Sequence, residues 1–88
     1  MTSLTLYDMV RVVRMIRPIE DYDGWQINQR SPQIGETGAF IELLQAPDFP
    51  DLYVVESSLP DGTTIWLSDF LIDEIEPAPP TPSACGAG

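Results

Sequence analysis

The fold depends most on residues 31–44, which read SPQIGETGAFIELL. Two glycines, Gly35 and Gly38, lie three residues apart at its centre, and such a pair suits a tight turn that needs a positive φ and a close approach of two backbones. The run from Ala39 to Leu44 is apolar except for Glu42, as expected of a strand that enters a core. The stretch therefore predicts a turn that leads into the central strand of a small β-barrel.

Three other segments have the composition of strands. Residues 9–16, MVRVVRMI, contain three valines and an isoleucine and lie close before Pro18, which favours an extended chain over the helix that the arginine spacing would allow. Residues 59–62, LPDG, form a turn signal because proline presets φ and glycine accepts the left-handed conformation. The segments on either side, 52–57 and 63–67, are therefore expected to pair as an antiparallel hairpin.

The remaining segments complete an all-β fold. Residues 68–71 predict one helical turn capped by Ser68 or Asp69, and residues 72–76 a short closing strand. A long connection over 17–34 and a loop over 46–51, which contains two prolines, join the strands. The fold class is thus a small five-stranded barrel over residues 1–77, with one helical turn before the last strand. Residues 78–88 are rich in proline and glycine and predict a disordered tail.

The charge balance is strongly acidic. The chain has 14 acidic and 4 basic residues, a net charge of −10, and neither lysine nor histidine. Such a surface repels phosphate backbones, so we expect no nucleic-acid binding, and it attracts a basic protein. Acidity that merely keeps a small protein soluble is the other explanation. The four bases are the arginines at positions 11, 14, 17 and 30, which we expect to pair with nearby carboxylates rather than to form an anion site.

Residues 20–25, EDYDGW, place two aromatic side chains in an acidic loop. Protein-binding surfaces use this combination because aromatic anchors supply much of the binding energy. A domain this small needs its tryptophans inside, so we expect Trp25 to fold back over the open end of the barrel, whereas Tyr22 could be a core or a contact residue. The predicted partner-binding residues are Glu20, Asp21, Tyr22, Asp23, Trp25, Asp48, Phe49 and Asp51.

Few side chains could support catalysis. Without histidine there is no Ser-His or Cys-His pair and no imidazole metal site, and the single cysteine, Cys85, lies in the predicted tail. Gly35-x-x-Gly38 is followed by neither a P-loop lysine nor a third glycine, so no phosphate cradle is expected. Residues 20–23 lack the spacing of a calcium-binding loop. We therefore predict no enzyme activity, no cofactor and no metal.

The ends of the chain suggest a location. Residues 1–6 lack the basic start and apolar stretch of a secretory signal, and no run approaches the ~20 apolar residues of a membrane span. We therefore expect a cytoplasmic protein that does not enter the membrane.

The order of strand, long loop, Gly-x-x-Gly strand, Pro-Asp-Gly hairpin, helical turn and short strand resembles Src-homology-3-like barrels over residues 7–77. Residues 7–12, 35–41, 66–67 and 74–77 are similar to small uncharacterised bacterial barrels, to the C-terminal barrel of the nitrile hydratase beta subunit and to small barrel subunits of photosynthetic electron-transfer complexes. Residues 35–41 also resemble the glycine-centred motif of ribosomal and transcription-factor barrels. The basic RNA-binding loops of those proteins are missing here, as is the Ala-Leu-Tyr-Asp-Tyr run of peptide-binding signalling domains.

These features predict a non-catalytic, acidic protein-binding module that is monomeric or weakly dimeric. Its concrete form would be an immunity-type protein that covers a basic toxin. The alternative, which the resemblance implies, is a structural or accessory subunit of a multi-subunit enzyme or electron-transfer assembly. An enzyme with a carboxylate pair ranks last.

Overall fold

The computed structural model describes residues 4–78, and its five strands form one antiparallel sheet. The strands are β1 (Met9–Val12), β2 (Thr37–Ala46), β3 (Phe49–Ser58), β4 (Thr64–Phe70) and β5 (Ile75–Pro77). Their order across the sheet is β4-β3-β2-β1-β5, so β2 lies at the centre. Two short 3-10 helices, Ile19–Asp23 and Ile72–Glu74, join them. The predicted all-β fold and the central strand are confirmed.

Each glycine of the 31–44 stretch is required for a different reason. Gly35 has a φ of +97°, a conformation that side chains with a Cβ resist. Gly38 lies against β3, where an added Cβ would come within 2.7 Å of the Glu56 carbonyl oxygen and 2.8 Å of Val55 Cγ1. The predicted turn and close backbone approach are both confirmed, and they bring β2 against its two neighbours.

β1 ends at Val12, earlier than the predicted strand end at Ile16. The N–H groups of Val13 and Arg14 donate to the Glu74 carbonyl oxygen, at 2.8 and 3.3 Å, and not to β2. After Val12 the chain therefore separates from β2 and bonds instead to the last residue of the second 3-10 helix.

The predicted helical turn over residues 68–71 was wrong. Ser68 and Asp69 continue β4, paired with Val55 and Val54 of β3, and the helical turn is the second 3-10 helix, Ile72–Glu74. Because Ser68 is fully buried and its hydroxyl donates to the Tyr22 carbonyl oxygen, it belongs to the sheet and caps no helix. The closing strand follows as β5 and not as residues 72–76.

The predicted loop over residues 46–51 was also wrong. Only Pro47 and Asp48 form a turn, and Phe49, Pro50 and Asp51 belong to β3. Pro50 is tolerated in the strand because the register shifts between Leu44 and Ala46, and proline is accepted at such bulges. β2 and β3 therefore form a hairpin whose distal part, residues 41–52, we call the arm.

The core lies on one face of the sheet. Its aromatic centre is Trp66, whose ring meets that of Phe70 edge-on at 5.8 Å. Such contacts bury a large apolar area and dominate the packing of a small domain. The buried side chains of the core are Val10, Val12, Tyr22, Phe40, Val55, Trp66, Phe70 and Ile75.

The free edge of β4 is covered by the connection that precedes β2. The Gln29 N–H donates to the Ile65 carbonyl oxygen at 2.8 Å, and Asn28 Oδ1 accepts a hydrogen bond from the Leu67 N–H, also at 2.8 Å. Unpaired strand edges invite pairing with other chains, so this cover protects the sheet on that side.

The far end of the chain lies mostly outside the described residues. Ala78, placed at the start of the predicted tail, still donates its N–H to the Met9 carbonyl oxygen at 2.9 Å and is buried. The rest of the predicted tail, with Cys85, lies outside residues 4–78. Within those residues, no helix has the length and apolarity needed to cross a membrane.

Candidate functional site

The first 3-10 helix, Ile19–Asp23, is the most acidic exposed element of the predicted site. It begins after Pro18, packs against β4 and carries three exposed carboxylates, those of Glu20, Asp21 and Asp23. The helix also contains Tyr22, whose side chain points inward and which is 1% exposed. Tyr22 is therefore a core residue, and its place among the partner-binding residues was wrong.

The Tyr22 ring is held from two sides. It packs on Phe70 at 5.5 Å, and the guanidinium carbon of Arg17 lies 4.7 Å from its centroid. A cation over an aromatic face is attracted by the ring quadrupole. Tyr22 thus fixes the helix, with its exposed carboxylates, to the core.

Glu74 binds the same segment through a fully buried carboxylate. Its Oε1 accepts hydrogen bonds from the Leu71 N–H at 2.8 Å and from Arg17 Nη2 at 3.1 Å. Its Oε2 accepts them from the Ile16 N–H at 3.0 Å and from the Tyr22 hydroxyl. Burial by itself raises the pKa of Glu74, but these donors outweigh it and hold the pKa below its ordinary value.

Glu36 is a second carboxylate tied into the fold. Both of its oxygens accept hydrogen bonds from the Arg30 guanidinium, at 2.8 and 2.5 Å, and Oε1 also accepts one from Trp66 Nε1 at 3.1 Å. The Arg30 guanidinium lowers the pKa of Glu36 most, and the Gln33 N–H and the indole lower it further against the opposing effect of burial. Glu36 and Glu74 therefore both link segments that are far apart in the chain.

The lowered pKa of Glu36 predicts acid sensitivity. A carboxyl whose folded pKa lies below its unfolded one stabilises the protein above the unfolded pKa, and the contribution disappears as pH falls through the folded pKa. We expect the difference in free energy of unfolding between the wild type and Glu36→Gln to shrink as pH decreases below about 5. Urea titrations at a series of pH values measure it, and a difference that stays constant down to about pH 2 would contradict the assignment.

An open groove of about 550 Å³ lies beside the first 3-10 helix, lined by Ile19, Glu20, Asp23, Gln26 and Ser31. Ile19 is 55% exposed and supplies the apolar part of a lining that also contains two carboxylates. We call this depression the acidic groove. It combines apolar area with negative charge, as a site for a lysine or arginine side chain requires, because such side chains have an apolar stem and a cationic end.

Trp25 lies near this groove and is only partly covered. The residue is 44% exposed, and its Nε1–H donates to Asp69 Oδ1 at 2.9 Å. The expectation that Trp25 lies inside the domain was wrong, because nearly half of the residue is exposed. The exposed part of the ring can contact a partner.

All four arginines are engaged within the chain. Arg11, Arg17 and Arg30 form ion pairs with Glu76, Glu74 and Glu36, and Arg14 donates to the Asp73 carbonyl oxygen. The expected pairing with carboxylates is confirmed for Arg11, Arg17 and Arg30, whereas Arg14 bonds to a backbone carbonyl instead. Among residues 4–78, no arginine forms an ion pair with a carboxylate of the acidic groove.

The other predicted residues lie on a different element. Asp48, Phe49 and Asp51 are exposed at the tip of the arm, and the Phe49 ring is 72% exposed. The predicted set thus divides into a group at the first 3-10 helix and a group at the arm tip. Sequence reasoning missed the groove residues Ile19, Gln26 and Ser31. Of these, only Ile19 could have been identified, because it is an apolar residue directly between Pro18 and acidic residues.

Comparison of the chain with protein-family models, with curated proteins and with solved structures found no match.

Proposed function

We propose that the protein is a non-catalytic module that binds a basic protein through the acidic groove and the exposed face of Trp25. The main support is the engagement of the arginines: with all four bonded elsewhere, the groove carboxylates have no ion-pair partner among the described residues. Complementary charge from a partner would speed association and fix its orientation.

The rigidity of the site supports the same proposal. Tyr22 and Glu74 anchor the helix to the core, so a partner does not have to order it on binding. Preorganised surfaces lose less conformational entropy on association. An immunity-type role, in which the module covers a basic toxin, is the concrete form of this proposal.

We also infer a Src-homology-3-like barrel. The strand order β5-β1-β2-β3-β4 and the 3-10 helix just before the last strand support the resemblance drawn from the sequence. Fold alone does not assign function, so this inference does not carry the binding proposal.

The test is affinity capture from native lysate with the wild type and two triple variants. The groove variant is Glu20→Gln and Asp23→Asn in the groove, together with Asp21→Asn on the same helix. The control variant is Asp61→Asn, Asp73→Asn and Glu76→Gln, which changes the net charge by the same amount elsewhere. We expect a basic protein on the wild type and the control, at least about tenfold weaker binding to the groove variant, and release at about 0.5 M salt.

Trp25 provides a readout with the purified partner. Its ring is partly exposed, whereas Trp66 is fully buried and serves as an internal reference. We expect iodide quenching of Trp25 fluorescence to fall in the complex. An acidic partner, binding that is indifferent to salt, or equal binding by both variants would overturn the proposal.

A second candidate is a structural or accessory subunit of a larger assembly. It is favoured by the exposed aromatic rings of Phe49 on the arm and of Tyr7, which is 75% exposed. Subunits of permanent assemblies bury such side chains against their partners. A stable, monodisperse monomer in sedimentation experiments would argue against it.

A further inference from the structure

The arm leaves one edge of β2 without a partner strand. β1 pairs with β2 only over Thr37–Ala39, and the last hydrogen bonds on this side both involve Phe40: its N–H donates to the Asp8 carbonyl oxygen at 2.9 Å, and its carbonyl oxygen accepts from the Tyr7 N–H at 2.5 Å. Tyr7, with a φ of +74°, then bends the chain away into a turn. Among residues 4–78, no strand pairs with this side of residues 41–46.

The register identifies the backbone groups that face this edge. Ala46 is paired with Phe49 across the two-residue turn, so their N–H and C=O groups face each other. Because these groups alternate in direction along a strand, those of Gln45 and Leu43 face the open edge. Six residues in strand conformation offer about 20 Å of edge.

The opposite edge of the arm is blocked. Pro50 has no N–H to offer, and the register shift opposite Leu44–Ala46 places an extra residue in β3. Prolines and bulges are the devices by which proteins prevent pairing at strand edges. β2 has one bulge, between Phe40 and Glu42 at the base of the arm. From Glu42 to Ala46 it is regular, because the extra residue of the second shift lies in β3, so the two sides of the arm differ.

Charge and side chains indicate what the open edge would accept. Glu42 and Asp48 are exposed, Leu44 is half-buried, and residues 41–52 contain no basic side chain. A second copy of the chain would bring the same carboxylates into contact with them, and like charges on paired strands are unfavourable. A cationic segment would instead pair lysine or arginine with Glu42 and an apolar residue with Leu44.

We propose that the β2 edge of the arm binds an extended cationic segment by adding it to the sheet as a strand. The Leu43 and Gln45 backbone groups supply the hydrogen bonds, and Glu42, Leu44 and Asp48 select the side chains. This inference rests on the proposed function, because the same basic partner supplies the segment. It adds the conformation and the residue pattern that the partner must have.

The test uses the acetylated and amidated hexapeptide KTVTKT as the probe, with amide NMR of the full-length protein. We expect the Leu43 and Gln45 amides to exchange rapidly in the free protein and slowly with peptide bound, with a dissociation constant on the order of 1 mM. The control peptide KPVPKP has the same charge but lacks the N–H groups that would face β2. Equal binding of both peptides would overturn strand addition.

Two variants at one position test the same edge. Gln45→Pro removes an edge-facing N–H without removing a donor from the β2–β3 ladder, whereas Gln45→Thr keeps it. Both variants lose the Gln45 Nε2 hydrogen bond to Asp51 Oδ2, so that loss cancels in the comparison. We expect KTVTKT to bind at least about tenfold more weakly to Gln45→Pro and within about twofold of wild type to Gln45→Thr.

Other results would separate this inference from the proposed function. Peptide shifts confined to residues 19–26 would overturn strand addition and leave the acidic groove as the binding site. Slow exchange of the two amides without peptide would also overturn it. In that case dependence on protein concentration would assign the edge to a second copy, and independence would assign it to residues 1–3 or 79–88.

Discussion

Glu74→Ala is expected to lower the free energy of unfolding by about 3–5 kcal/mol, the usual cost of removing one partner of a buried ion pair. The substitution leaves the Arg17 guanidinium, the Tyr22 hydroxyl and two backbone N–H groups without their acceptor. Small domains have a total stability on the order of 10 kcal/mol or less, so a large part would be lost. Urea unfolding followed by Trp66 fluorescence measures it.

The matched control is the neighbouring acid. Asp73 is exposed, and Arg14 bonds to its backbone carbonyl and not to its side chain, so Asp73→Ala should change stability by less than about 0.5 kcal/mol. A Glu74→Ala protein as stable as the Asp73→Ala protein would show that the buried network does not hold the first 3-10 helix on the core.

Gly38→Val is expected to lower the free energy of unfolding by about 3 kcal/mol, at the upper end for overpacked sites. The added Cβ would meet the Glu56 carbonyl oxygen at 2.7 Å, and backbone cannot rotate away as a side chain can. β2 and β3 would have to separate where the sheet is continuous. Thermal and urea unfolding give the change.

Gly24→Ala tests whether the effect belongs to the site or to glycine in general. Gly24 has helical dihedrals, φ −63° and ψ −24°, and nothing lies within 4 Å of an added Cβ. Replacing such a glycine should be neutral or stabilise the protein by about 0.4–1 kcal/mol through the unfolded state. Equal destabilisation by both substitutions would contradict the close-approach explanation for Gly38.

The parts of the fold that sequence reasoning predicted depend on local chemistry. The geometry at Gly35 and Gly38 and in the turn over residues 59–62 is determined by the residues at those positions. The central strand and the hairpin next to it could therefore be predicted without knowledge of the rest of the chain. Gly62 has the expected positive φ of +94°. In these places, the residues of the segment itself determine both the close backbone contact and the turn conformation.

The parts that were missed depend on residues far apart in the chain. β1 ends where the Glu74 carbonyl becomes available, and the cap signal at Ser68 was overridden by burial against Tyr22. Nothing in residues 73–76, DEIE, indicates that Glu74 is fully buried. Its carboxylate is buried because Arg17 and Tyr22, from another segment, bond to it. For the same reason the sequence could not separate Tyr22, which is core, from Trp25, which is half-exposed.

Asn28 and Gln29, which cover the edge of β4, belong to the same segment as the residues of the acidic groove, so changes in this segment affect both the groove and the tendency to aggregate. The segment that lines the groove is also what keeps a seven-residue strand from meeting its counterpart in another molecule. A protease cut between Gly24 and Arg30 would therefore release this cover and favour fibrous aggregates, in addition to its effect on the proposed binding.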